Sequence, residues 1–145
     1  MSYAPRILIV DDDPSIRKAL SSVLKSEGYL VDTAENGAEA IKKAEAGFYS
    51  LAFVDMRLPD TNGLEVLTAI SKISPRTLKI VLTGYPSPQN SVEATNRGAV
   101  GYMIKPVAMD ELLRTTKGHL GKQQEATDSK AKSLSESTEN KHSQI

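Results

Sequence analysis

Three consecutive aspartates, Asp11, Asp12 and Asp13, follow an apolar run directly in "ILIVDDDPSIR". Further along, Asp55 ends "LAFVD", Thr83 ends "IVLT" and Lys105 follows "GYMI". Gathered carboxylates can hold a hard cation through oxygen, and a carboxylate can attack as a nucleophile. A hydroxyl and an ammonium can steady an anion that forms beside them. Two carboxylates about 4 Å apart repel by about 4 kcal/mol at an effective dielectric of about 20. A site that gathers Asp11, Asp12 and Asp55 therefore calls for a divalent cation. Oxygen ligands beside a phosphoryl group select Mg²⁺, or Mn²⁺ in its place.

Each residue alone has a plainer reading. Aspartates at strand ends are common turn formers, and a lone Lys105 reads as a solvated surface lysine. Asp13-Pro14 reads as a helix N-cap followed by the proline favoured at the first helical position. An EF-hand loop starting at Asp11 fails, because Ile16 stands where glycine is required. A dinucleotide-binding phosphate loop fails too, with no glycine between Val10 and the first helix. Gly63 in "TNG" reads as a structural turn residue. The constellation carries the weight, and it exists only if the elements bring these strand ends together.

The pattern predicts those elements. Short apolar runs read as strands at 6–10, 29–33, 51–54, 79–82 and 101–104. Between them lie helical patterns. The first presents Ile16, Ala19, Leu20, Val23 and Leu24 on one face and stops at Gly28. The second, over Gly37 to Ala46, should bury Ala38, Ile41 and Ala44 and end at Gly47. The third presents Leu64, Leu67 and Ile70 and stops before Pro75. The fourth, about Pro88 to Arg97, offers only Val92 and Ala94. The fifth starts near Met109 with Leu112, Leu113 and Leu120. Such alternation implies an α/β fold with a parallel sheet and helices on both faces. Ligands of an open parallel sheet bind beyond the carboxyl ends of its strands, where all four polar endings lie.

Composition narrows the function. The 145 residues hold 18 basic and 18 acidic side chains and no cysteine. Zero net charge disfavours direct nucleic-acid binding. Without cysteine there are no disulfides, thiol chemistry or common zinc sites. "MSYAPRILIV" shows no signal-peptide core, and no apolar run is long enough to span a bilayer, so the chain is read as cytoplasmic with no membrane partner. Residues 1–121 are read as one domain. Residues 122–145 are too polar to offset their ordering entropy and are read as a disordered tail.

In "ILIVDDDPSIR", "FVDMRLPDTNGLEVL", "IVLTGYP" and "GYMIKPV" the chain resembles the receiver domain of two-component response regulators, from residue 6 to about 120. The resemblance implies a doubly wound five-stranded parallel sheet of flavodoxin-like order 2-1-3-4-5. It implies that Asp55 is the phospho-acceptor, and that Asp12 holds Mg²⁺ directly while Asp11 does so mainly through water. The Arg57 backbone carbonyl is implied as a further metal ligand. Thr83 and Lys105 would contact the phosphoryl group, with Lys105–Pro106 cis. Tyr102 would be the aromatic switch that swings inward when Thr83 moves. The fourth helix, fifth strand and fifth helix would carry the signal to an output protein, and a phosphorylation-dependent homodimer is one form that output can take. Neither His119 nor His142 lies near the strand ends, so a sensor histidine kinase or a small phosphodonor must supply the phosphoryl group.

Some positions depart from the commonest pattern. Gly84 follows Thr83 where alanine is frequent, and no aspartate caps the fifth helix in "VAMDE". Bulky Arg57 and Tyr85 flank the pocket and are expected to obstruct water attack on the phosphoryl group. An aspartyl phosphatase would carry a second aspartate where Arg57 stands, so no separate substrate turnover is expected. The remaining alternative is an N-terminal receiver fragment of a longer transcription regulator or hybrid kinase.

Overall fold

The computed structural model describes residues 4–124. The apolar runs are strands β1 (Arg6–Val10), β2 (Leu30–Ala34), β3 (Leu51–Asp55), β4 (Leu78–Thr83) and β5 (Gly101–Ile104). They pair in parallel in the order β2-β1-β3-β4-β5. Helices α1 (Pro14–Ser26), α2 (Gly37–Ala46), α3 (Gly63–Ile73) and α4 (Pro88–Asn96) connect them, and a further helix, α5, runs over 109–124.

Strand limits differ slightly from the pattern. β2 starts at Leu30 because the Tyr29 N–H still bonds back to the Leu24 carbonyl of α1, at 3.3 Å. β3 takes in Asp55, and β4 takes in Leu78 and Thr83. Two bonds continue the ladder past these ends: Met56 N–H to the Leu82 carbonyl at 3.0 Å, and Lys105 N–H to the Thr83 carbonyl at 2.7 Å.

The chain steps from β1 out to β2, then back across β1 to β3. Right-handed crossovers then require α1 on one face of the sheet and α2 and α3 on the other. Ala40, Ala44, Val66, Leu67 and Ile70 accordingly pack in one cluster with Leu8, Val10, Ala52, Val54 and Val81. The alternate strand residues Ile7, Ile9, Phe53, Ile80 and Leu82 are buried on the opposite face. α1 contacts β1 and β2, and its Leu20 and Leu24 are buried. Each buried branched or aromatic side chain contributes about 1.5–3 kcal/mol, which makes β1, with Ile7, Leu8, Ile9 and Val10 all buried, the costliest strand to disturb.

The buried faces of the helices are not all those the spacing predicts. Ala19 and Ala38 are exposed and Ile41 is only half-buried. In α2 the inward residues are Gly37, Ala40 and Ala44. Gly37 is pressed against the β3–α3 loop, and the 3-and-4 spacing from it selects Ala40 and Ala44. Val66 joins Leu67 and Ile70 inside, while Leu64 is partly buried. In α4 only Ala94 is buried, and Val92 is 61% exposed. α4 ends at Asn96, with Arg97 as its cap. The Arg97 guanidinium bonds Glu93, Glu65 and Thr68, and its carbonyl accepts from the Ser71 hydroxyl. The last turn of α4 is thereby tied to α3.

α1 ends at Ser26 with Glu27 as its cap, and Gly28 follows with a φ of 94°, in the left-handed region that favours glycine. α5 begins with the Leu112 N–H bonded to the Ala108 carbonyl, so no side-chain oxygen stands at its cap position. Residues through Leu113 form one compact unit, and a second opens at Arg114. Within the described residues that second unit is helical to 124, so positions 122–124 of the expected tail are helix; 125–145 lie outside the described residues. No helix among the described residues is long and apolar enough to cross a membrane.

Candidate functional site

β1 and β3 are neighbours at the point where the strand order reverses, and both end in carboxylates. Asp11 is fully buried, Asp55 is 6% exposed and Asp12 is exposed. One oxygen from each lies within 4.8 Å of the others. Asp13 stands apart from this cluster: its Oδ1 accepts from the Ser15 N–H at 2.8 Å and caps α1, with Pro14 next.

Asp11 is held on every side. Its N–H bonds the Ala34 carbonyl of β2, and its own carbonyl accepts from Arg17 Nη1 at 2.7 Å. Oδ1 accepts from the Asp13 N–H at 2.9 Å. Oδ2 meets Lys105 Nζ at 2.7 Å, and the same ammonium lies 3.2 Å from Asp55 Oδ2. Burial would push the Lys105 ammonium down, but its hydrogen bonds and attraction to Asp11 and Asp55 more than offset this and hold it above its usual range. Burial and the Asp11 charge raise the Asp55 carboxyl above the usual carboxylate range, against the Arg57 N–H and Lys105, which favour its ionised form.

The loop after Asp55 folds back as a small antiparallel bridge between Arg57 and Asn62. Its two hydrogen bonds take the carbonyls of Met56 and Thr61, leaving that of Arg57 out of the bridge. The Arg57 N–H donates to Asp55 Oδ1 at 3.2 Å. Gly63 opens α3 flush against this backbone, since a Cβ there would lie 2.5 Å from the Asp55 carbonyl oxygen. Its role is thus close approach as well as a turn.

Thr83 is buried at the end of β4. Its Oγ1 accepts from the Tyr85 N–H at 3.0 Å, which leaves its own proton to donate. The Tyr85 ring lies under the Arg57 guanidinium, 3.8 Å from carbon to centroid, so the two bulky residues stack on each other. Tyr102 stands opposite Val81 in the ladder and packs on the core cluster that contains Ala94. Its hydroxyl is buried with no hydrogen-bond partner among the described residues, an unfavourable position for a polar group. Lys105–Pro106 is cis.

The structure therefore gathers Asp11, Asp12, Asp55 and Lys105. It sets Thr83 at the next strand end and keeps Tyr102 one strand further out. Two contributors escaped sequence reasoning: Arg17, which braces the Asp11 carbonyl, and Asp60, which bonds α2. Neither has a local signal, because their partners lie 6 and more than 20 residues away. An all-oxygen donor set suits Mg²⁺. A lysine ammonium seated between two of its carboxylates marks the same spot as one that favours positive charge.

Residues 7–117 match the response regulator receiver domain family. The transcriptional regulatory protein GlrR of Escherichia coli K12 is 36% identical over 129 residues, which is 88% of this chain and 29% of GlrR. The chain thus spans less than a third of that relative. A CheY-like receiver domain protein from Methanospirillum hungatei superposes with a TM-score of 0.84 at 41% identity, over 86% of this chain and 99% of that one. TrrA of Thermotoga maritima, solved in complex with Mg²⁺ and BeF, gives 0.72 at 42% identity, over 79% and 98%. With a match that runs from β1 into α5, on a sheet wound in this order, the chain belongs to the receiver domains of two-component response regulators.

Proposed function

We propose that Asp55 accepts a phosphoryl group from a phosphohistidine on a sensor histidine kinase and that the resulting acyl phosphate resets the α4–β5 surface for an output protein. The observation that carries this is the Lys105 ammonium shared by Asp11 and Asp55 at the switch point. A nucleophilic carboxylate stands there with a cation already beside it. An Asp55 oxygen attacks phosphorus as the phosphorus–nitrogen bond breaks, and the imidazole leaves with the bonding pair. Asp11, Asp12, Asp55 and the Arg57 carbonyl would hold Mg²⁺. When bound, the ion neutralises charge on the equatorial oxygens of the transferred group.

The chain's own residues do the rest. Lys105 exchanges a carboxylate for the new anion, and Thr83 donates the proton that its bond from Tyr85 leaves free. Thr83 and Lys105 are joined through their backbone, so both strand ends shift together. Tyr102 responds as its buried hydroxyl, which has no partner among the described residues, finds a new setting. The protein catalyses only its own phosphorylation and dephosphorylation, in the cytoplasm.

Intact mass after incubation with a small phosphodonor and Mg²⁺ tests this, with Asp55→Ala and Mg²⁺-free samples in parallel. One added phosphoryl group, absent from both controls, is expected. The same adduct on Asp55→Ala refutes the assignment. A second reading, that the chain is the receiver part of a longer transcription regulator, is favoured by its 29% coverage of GlrR. Mapping the C-terminus of the native protein decides it.

A further inference from the structure

The cation ligands proposed above are of two kinds. Asp11, Asp12 and Asp55 sit at strand ends held by the sheet, whereas the Arg57 carbonyl sits in the β3–α3 loop. Among the described residues that loop closes on itself through two backbone bonds, the Leu58 N–H to the Thr61 carbonyl at 3.2 Å and the Gly63 N–H to the Met56 carbonyl at 2.9 Å. From its tip, Asp60 reaches a different element. Its Oδ1 accepts from the Gly37 N–H at 2.8 Å and its Oδ2 from the Ala38 N–H at 2.9 Å.

Those are the first two amides of α2, which the helix cannot satisfy internally, at the positive end of its dipole. The two backbone bonds hold the Asp60 carboxyl below its usual range. α2 already has a local cap, since Asn36 Oδ1 accepts from the Glu39 N–H at 2.8 Å. Asp60 is therefore an additional bond from the loop side. Gly37 admits it: a Cβ there would lie 2.4 Å from Thr61 Cγ2 and 3.3 Å from Asp60 Oδ1.

We infer that Asp60 is a positioning residue for the divalent-cation site, fastening the β3–α3 loop to the N-terminus of α2 so that the Arg57 carbonyl stays where the ion needs it. The inference rests on the reading of Asp11, Asp12, Asp55 and Arg57 as cation ligands. Mg²⁺ tolerates little departure from octahedral geometry at about 2.1 Å, so a loosened loop forfeits its ligand. Asp55 itself stays put, because Gly63 is pressed against its backbone.

Calorimetric titration of Mg²⁺ alone into wild type, Asp60→Ala, Asp60→Asn and Asn36→Ala tests this, with Tm recorded for each. Asp60→Ala should bind about tenfold more weakly, the scale on which supporting residues act on a metal site. Asp60→Asn, which keeps one acceptor oxygen, should fall between. Asn36→Ala weakens α2 without touching the loop, so its Tm should drop while its Mg²⁺ affinity stays that of wild type. Asp60→Ala binding as tightly as wild type overturns the inference. So does Asn36→Ala losing as much affinity as Asp60→Ala, which would put the cause in α2 itself. A wild type that takes up no Mg²⁺ refutes the cation reading, and the inference with it.

Discussion

The Lys105 ammonium lies 2.7 Å from Asp11 Oδ2 and 3.2 Å from Asp55 Oδ2, bridging two buried carboxylates from neighbouring strands. Removing one partner of a buried ion pair costs about 3–5 kcal/mol, because the other charge is left uncompensated. Lys105 is 18% exposed and Asp55 can take up a proton, so Lys105→Met should cost about 2 kcal/mol in the absence of divalent ions. Saturating Mg²⁺ should restore most of it. Denaturant melts in chelator and in Mg²⁺ check this, and a variant as stable as wild type in chelator contradicts it.

Asp55 makes the opposite contribution. Its carboxyl is raised in the folded protein by burial and by the Asp11 charge. The folded state therefore binds the Asp55 proton more tightly than the unfolded chain, and stability is lost as pH rises above the unfolded value near 3.8. Asp55→Asn removes that penalty. At neutral pH without Mg²⁺ its Tm should exceed wild type by about 4 °C, roughly 1 kcal/mol for a domain of this size. The gain should fade as pH drops toward the unfolded value, where both states are protonated. A pH series of melts decides it.

At the far end of the sheet, Tyr49 donates its hydroxyl proton to Asp32 Oδ2 at 2.7 Å, and Arg6 meets the same oxygen at 2.7 Å. The Tyr49 bond, followed by Arg6, lowers the Asp32 carboxyl, while burial and Asp32 push the Tyr49 hydroxyl up to about 12. A depressed carboxyl contributes stability above its unfolded value that is lost as pH falls through the folded one. Tyr49→Phe should therefore cost somewhat under about 1 kcal/mol at neutral pH, since the Asp32 side chain is 41% exposed and partly screened. The difference should shrink in acid. Urea melts at neutral and acid pH read both.

Arg57 stacked on Tyr85 forms a cover beside Asp55, the proposed acceptor. An exposed cation–π contact contributes about 0.5–1 kcal/mol, enough to hold the cover closed for most of the time. Tyr85→Ala should shorten the acyl-phosphate lifetime about threefold by admitting water, a factor that corresponds to the lower part of that range. Loss of the phosphoryl mass over time measures it. A wild type that hydrolyses faster than the variant refutes the role.

What was legible in the sequence was what local chemistry states. Asp13-Pro14 announces a helix start, and the strands announce themselves because both faces of the sheet are covered, so whole runs are apolar. Polar residues ending such runs in a parallel sheet must share an edge, which made Asp11, Asp55, Thr83 and Lys105 a site before any distance was known. The inward face of α2 was not legible. Ala38, Ala40 and Ala44 are chemically alike, and the choice among them is made by Gly37 against Thr61, across the fold. Asp60 and Arg17 were silent for the same reason: each acts on backbone atoms, which leave no trace in side-chain type at the receiving position.

α4 is fastened at one end. Ala94, its one buried residue, and Arg97, bonded to Glu65 and Thr68, belong to its last turn, while Pro88 to Ser91 include no buried residue. Mechanically this is a lever with its fulcrum at Arg97 and its free arm beside the segment that leaves Thr83. Its 9 residues span about 13 Å. A swing of about 5° at the fulcrum carries the free tip about 1 Å over that length. On the proposed function, a displacement at Thr83 too small to disturb the core would be delivered where the arm offers least resistance.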